Sequence, residues 1–282
     1  MKIKQLIAIK YIRLKISLLS FISKRRAALL AFEIFTTPPE KHSGLTTAAV
    51  FNFAEPLYEY LDGLKINGYC WNKGKATKVL ILHGFSSSAA KFHHFILPLI
   101  EKGYEVIAFD APAHGNSEGK TVNVLQYSLL IEKIYKNYGP INGFIAHSFG
   151  GIAVCLALEN IPHDENTKLV LLAPATETAS AIDNTFTLLN IKNKKVREEF
   201  DQLIFEKSGH QPEWFSIKRA MQNCKATTLW FHDEEDDLTP LRDALNVKDL
   251  NLPNIQFIIS KGLGHRRIYH DSFVKNELIN FL

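Results

Sequence analysis

The stretch GFIAHSFGG, residues 143–151, sets one serine between an apolar run and a glycine pair. Phe144, Ile145 and Ala146 read as a short buried strand, and Ile152 to Leu158 as a buried helix. A serine between two such elements can sit on a sharp strand-to-helix turn with its hydroxyl exposed. Gly150 and Gly151 then let the helix pass close to the strand without a Cβ in the way. The G-x-S-x-G pattern is broken once, because Ala146 stands where the first glycine belongs. On this motif alone Ser148 is either a nucleophile or a small polar residue closing a strand, and the rest of the chain has to decide.

Outward from that stretch, short apolar runs alternate with longer amphipathic ones. The strand candidates are Leu64–Trp71, Lys78–His83, Glu105–Asp110, Gly143–His147, Leu169–Ala173, Thr227–His232 and Ile255–Ser260. Helical patterns lie near 88–102, 121–138, 149–160, 240–250 and 271–282. This alternation predicts an α/β fold, a mostly parallel doubly wound sheet with helices on both faces. In such sheets function collects at the carboxyl ends of the strands. One interval breaks the rhythm. Residues 178–225 hold no strand candidate, are helix-prone (KKVREEFDQLIFEK) and carry Phe186, Phe200, Phe205, Trp214 and Phe215. A crossover that long predicts a small helical lid inserted before the acid-bearing strand. The expected organisation is a basic amphipathic segment 1–44, a core of 45–177 and 226–282, and the lid 178–225.

Composition narrows the class. With 282 residues, 46% hydrophobic and 22% charged, the chain can bury the core of one large α/β domain. Cys70, Cys155 and Cys224 are scattered and odd in number, with neither metal-ligand spacing nor a disulfide framework. That predicts a reducing, cytoplasmic setting. Eight of the 33 basic residues lie within residues 1–32, which hold no acid, leaving 25 against 29 acids on the remainder. An acidic body on a basic arm does not fit nucleic-acid binding, where the basic patch belongs on the fold itself. No phosphate-cradling glycine loop or dinucleotide fingerprint is present, so neither cofactor nor metal is expected.

The strand ends carry the chemistry. The Lys78–His83 run ends in LHGFSSS, where the backbone N–H of Phe85 is the natural oxyanion donor, paired with that of Phe149 after the serine. The next ends in FDAPAHGNSEG, a tight hydrogen-bonded loop in which His114 reads as a spacer rather than a base. Thr227–His232 ends in HDEEDDLTP, five consecutive carboxylates from Asp233 to Asp237. Paired carboxylates can bind metal or cleave glycosides, but adjacent acids point apart and no second cluster follows at ligand-like spacing. The run reads as a solvated turn that leaves one acid to orient a histidine. The last strand ends in SKGLGHRRIYHD, with His265 after a flexible turn. Serine, acid and histidine therefore follow in the chain order of α/β-hydrolases.

Over residues 60–282 the chain resembles α/β-hydrolase-fold proteins of the small, lidded, esterase-like kind, through HGF, DAPAHGNS, AHSFGG, HDEEDDLTP and GLGHR. The resemblance implies Ser148 as nucleophile, Asp236 as the acid, His265 as general base, and Phe85 and Phe149 as oxyanion donors. It departs at Ala146 and at Asp233, which stands where the family often has glycine. The expected reaction is hydrolysis of a small-molecule carboxylic ester or thioester through an acyl-enzyme. Carbon–carbon bond hydrolysis and cofactor-free peroxidation run on the same triad, and a non-catalytic binding protein is the reading from another class. Trp214 and Phe215 are the expected substrate contacts. The sequence is silent on oligomeric state.

The arm, MKIKQLIAIKYIRLKISLLSFISKRR, lacks the clean apolar core and small-residue cleavage site of a secretory signal. Drawn as a helix, it puts Ile3, Ile7, Tyr11, Leu14, Leu18 and Phe21 on one stripe and Ile9, Ile12, Ile16 and Leu19 roughly opposite. Two readings stand: a helix packed on the body, or a peripheral association of residues 1–26 with an anionic membrane at its inner face.

Overall fold

The β-branched and leucine-rich runs become the strands of one eight-stranded sheet, in a computed structural model that describes residues 3–38 and 48–282. The strands are β1 (Glu55–Leu61), β2 (Leu64–Trp71), β3 (Lys78–Leu82), β4 (Glu105–Phe109), β5 (Gly143–His147), β6 (Lys168–Leu172), β7 (Thr227–Asp233) and β8 (Ile255–Ser260). Their order is β1-β2-β4-β3-β5-β6-β7-β8. β2 pairs antiparallel with β1 and β4, and every pairing from β4 to β8 is parallel. β3, β4 and β5 are buried along nearly their whole length, as parallel strands covered on both faces must be.

β1 has no counterpart among the sequence candidates. Its residues, EPLYEYL, are mostly exposed, because an edge strand with one solvated face needs no apolar run. The readable signal was the Asp62-Gly63 pair that joins β1 to β2, with φ of 52° and 77°. That dipeptide, with positive φ at both positions, marks a two-residue hairpin turn.

The helices are α1 (Ile3–Ile22), α2 (Lys24–Thr36), α3 (His93–Glu101), α4 (Val124–Tyr138), α5 (Phe149–Ala157), α6 (Thr178–Leu189), α7 (Lys194–Ser208), α8 (Ile217–Met221), α9 (Leu241–Lys248), α10 (Gly264–Arg267) and α11 (Ser272–Phe281). α4 begins with a capping box, Asn123 accepting from Gln126 N–H while the Gln126 side chain accepts from Asn123 N–H. No helix among the described residues is long and apolar enough to cross a membrane.

The chain divides into two compact units, Met1–Thr37 with Glu177–Phe215, and Pro38–Thr176 with Ser216–Leu282. The second holds the sheet and a core of Val79, Ile81, Phe92, Phe95, Ile145, Val170 and Leu229. The first is all helical. Ala27, Ala28 and Ala31 of α2 are fully buried. The Phe32 and Phe35 rings of the same helix lie 5.7 and 5.8 Å from that of Phe200 on α7. Arg25 is paired with Glu199 and Glu206. The arm and the residues after β6 are thus one structural unit, where the sequence boundaries keep them apart. The boundary expected at residues 44 and 45 lies outside the described residues.

Candidate active site

Four consecutive strand ends place a non-glycine residue at positive φ: Ser86 after β3, Ala113 after β4, Ser148 after β5 and Ala173 after β6, at 60°, 65°, 52° and 42°. Such conformations cost on the order of 1–3 kcal/mol each and persist only where the surroundings over-determine them. At Ser148, with ψ of −116°, the chain leaves β5 and enters α5 at once. A Cβ on Gly150 would lie 2.8 Å from the carbonyl oxygens of Leu82 and His83, so α5 can lie this near β3 only with glycine there. Ala146, the departure from the motif, is buried within β5 with no break in the pairing.

Ser148, His265 and Asp236 come together although 117 and 29 residues separate the successive partners. His265 Nε2 lies 3.0 Å from Ser148 Oγ, and His265 Nδ1 lies 2.8 Å from Asp236 Oδ2. With the Nδ1 proton donated to the carboxylate, Nε2 is left to accept the serine proton. All three are less than a tenth exposed. Burial raises the Asp236 carboxyl, but the hydrogen bond and charge of His265 and the N–H groups of Thr239 and Leu238 outweigh it, leaving the group below the ordinary carboxylate value.

Thr239, which the sequence reading passed over, completes the acid's surroundings. Its N–H donates to Asp236 Oδ1 at 2.8 Å, its hydroxyl donates to Oδ2 at 2.8 Å, and the hydroxyl also lies 3.0 Å from His265 Nδ1. The D-x-x-T spacing, in which an aspartate accepts from N–H groups two and three residues on, was the available signal. Asp233, the second departure from the family pattern, is fully buried and has a different job. It accepts from Ser260 Oγ and the Leu263, Gly264 and Glu235 N–H groups at 2.7–3.0 Å, tying the end of β7 to the start of α10, which carries His265. Burial raises its carboxyl, and these four donors bring it down to about 2. Asp237 is exposed.

Phe85 and Phe149 are brought side by side, their rings edge-on at 5.6 Å. Phe149 opens α5, where an N–H has no preceding carbonyl of the helix to bind. The loop bearing Phe85 is held by two histidines. His83 Nε2 accepts from Ala111 N–H at 2.9 Å and His114 Nε2 accepts from Ser86 N–H at 3.1 Å. Both rings give their Nδ1 protons to nearby carbonyls, of Gly84 and Pro112. Gly84 permits the loop's approach to the elbow, since a Cβ there would meet His147 Nδ1 at 2.8 Å and Ser148 Cβ at 2.9 Å. His147 is fully buried in its own right. Burial, then the neighbouring His265, pushes it down to about 3.

Trp214 and Phe215 lie in the helical unit. The Trp214 ring stacks on His210 at 4.0 Å and meets Phe215 edge-on, and Phe215 itself is buried. Among the described residues no group of three or more His, Cys, Asp or Glu side chains could hold a metal ion.

The chain is 25% identical over 132 residues to "Putative esterase/lipase 2" of Mycoplasma pneumoniae, a match covering 45% of this chain and 48% of that protein. It is 23% identical over 181 residues to the dihydrolipoyllysine-residue acetyltransferase component of the acetoin cleaving system of Cupriavidus necator, covering 62% and 46%. It thus spans about half the length of the curated relatives it matches. Its fold is that of a Pyrococcus furiosus esterase, with a TM-score of 0.64 at 18% identity over 88% of this chain and 97% of that one. The profile of the family described as Serine aminopeptidase, S33 matches residues 74–223, just over half of the chain, from before β3 to beyond α8. By that match, and by the α/β-hydrolase fold, the chain belongs to this family of hydrolases.

Proposed function

We propose that the protein is a serine hydrolase that cleaves a carboxylic ester or thioester through an acyl-enzyme. The observation that carries the reading is the relay of 3.0 and 2.8 Å from Ser148 through His265 to Asp236. A serine hydroxyl is a weak nucleophile at neutral pH and needs a base within hydrogen-bond reach. His265 takes the Oγ proton as Oγ bonds to the carbonyl carbon, and Asp236 stabilises the imidazolium that forms. The N–H groups of Phe85 and Phe149 stabilise the oxyanion, where loss of a single donor typically costs about 3 kcal/mol. Collapse breaks the bond to the leaving oxygen or sulfur, which takes the proton from His265. Water, deprotonated by His265, then releases the carboxylic acid and restores Ser148.

Trp214 and Phe215 are the proposed contacts for the acyl group, and esters graded by acyl length would report its size. Ser148→Ala should abolish both burst release from p-nitrophenyl esters and labelling by a fluorophosphonate. An unchanged burst would sink the assignment. A folded wild-type protein that neither turns over esters nor takes the label would point to the binding-protein reading instead.

A further inference from the structure

The helical unit carries a surface that the hydrolase chemistry does not use. Along α1, Ile9, Ile12 and Leu19 are partly covered and Ile16 is fully buried. The other face is bare. Ile7, Tyr11, Leu14, Leu18, Phe21 and Ile22 are 57–83% exposed. At helical spacing they form one continuous stripe about 22 Å long. Contiguous apolar surface of that extent, left open to water, marks an interaction site. At 100° per residue, exposed Lys10 and Lys15 fall on either side of the stripe, within about 70° of its centre.

At the C-terminal end of the stripe, Phe21 forms part of the wall of a cavity of about 280 Å³ between α1 and the turn from α6 to α7. Arg13, Lys24 and Lys192 line it, with Ser17 and Asn193, and no Asp or Glu does. Two of the three cations are bonded to backbone oxygens rather than carboxylates, Arg13 to Leu188 and Lys24 to Ser20. Their positive charge is therefore not neutralised by an acid lining the cavity.

We propose that this face docks on a bilayer carrying anionic phospholipid, with the stripe in the acyl boundary, Lys10 and Lys15 reaching up to the headgroups, and the cavity holding a lipid phosphate. Lysine stems can lie along apolar surface while their charge stays in the interface. The charge pattern selects this occupant over a second copy of the chain. A two-fold contact through the stripe would set exposed Lys10 and Lys15 against the same two lysines, with no acid anywhere in α1 to pair them.

Flotation of the full chain with vesicles of phosphatidylcholine, and of phosphatidylcholine mixed with phosphatidylglycerol, tests the proposal. Binding should be confined to the mixed vesicles and weaken as salt rises. Lys10→Gln with Lys15→Gln should lower partitioning about thirtyfold. Leu14→Gln with Leu18→Gln should abolish it, while exposed Lys192→Gln should weaken it about fivefold. All should keep the wild-type thermal midpoint, since every altered side chain is exposed. Inorganic phosphate at matched ionic strength should not release the protein. Equal binding to both vesicles, or to neither, would overturn the proposal. So would self-association abolished by the leucine pair, or thermal stabilisation by inorganic phosphate in a protein that ignores both vesicles.

Discussion

The sheet unit and the helical unit treat polar and apolar groups in opposite ways. At the carboxyl edge of the sheet, Asp110, Asp233, Asp236, His83, His114 and His265 are all buried, and each has hydrogen-bond partners. In α1 the arrangement is inverted, with large apolar side chains in water. The difference teaches where each unit's free energy is committed. Buried polar groups are costly unless every bond is made, so the sheet edge holds one geometry. An exposed apolar stripe contributes nothing to folding until something covers it, so the free energy of burying the α1 surface is left to be used.

The largest effect that would break this contrast lies at the acid. Asp236→Asn should keep the fold, because the Thr239 and Leu238 N–H groups still find an oxygen. It should lower turnover by about ten-thousandfold, since the amide holds the wrong imidazole tautomer. Ester turnover with circular dichroism on the same sample decides it. A fully active variant, alongside a dead Asp233, Asp237 or Glu177 variant, would move the acid elsewhere.

The elbow's packing is the next test of a sheet edge with a single geometry. Gly150→Ala forces a methyl group against two backbone oxygens, which cannot swing away as a side chain would. Overpacking of this kind costs about 1–3 kcal/mol. Denaturant unfolding should register that loss, with turnover falling as the elbow shifts. An alanine variant as stable and active as wild type would mean that α5 can retreat from β3, and that the edge is looser than its hydrogen bonds imply.

Acid sharpens the contrast further. His147 is held neutral at about 3, below the roughly 6.5 of an unfolded histidine. A base with a depressed folded value contributes stability that is fully present above the unfolded value and is lost as pH falls below it. At pH 5 this one residue should therefore cost about 2 kcal/mol relative to pH 7. Asp236, also depressed, adds to the loss in the same direction at lower pH, as the unfolded carboxylate begins to protonate. Urea midpoints between pH 7 and pH 5 should fall for the wild type and stay flatter for His147→Gln. Identical slopes would take His147 out of the account.

Much of this was legible because buried parallel strands write themselves as apolar runs. Seven strands and five of the sheet unit's seven helices follow periodicity, and the residues now at the sheet's carboxyl edge lie where each run stops. β1 was not legible as a run, since an edge strand with Glu55, Pro56 and Glu59 carries no such signature, although its Asp62-Gly63 turn did. Nor could spacing alone separate Asp233 from Asp236. The two are three residues apart in one acidic run and both become buried.

The sequence by itself determined the order of serine, acid and histidine, the alternation that demands a parallel sheet, and the concentration of basic charge before residue 33. These are one-dimensional properties, set by residue type and spacing. Only the tertiary structure decided which acid faces His265, which one ties the β7 end to the start of α10, and that Thr239 serves both the acid and the histidine. It alone decided which of the two apolar faces of α1 is covered, because both carry large apolar residues along the chain. Burial and hydrogen-bond partnership arise from residues far apart in sequence, and no local pattern records which neighbours will meet.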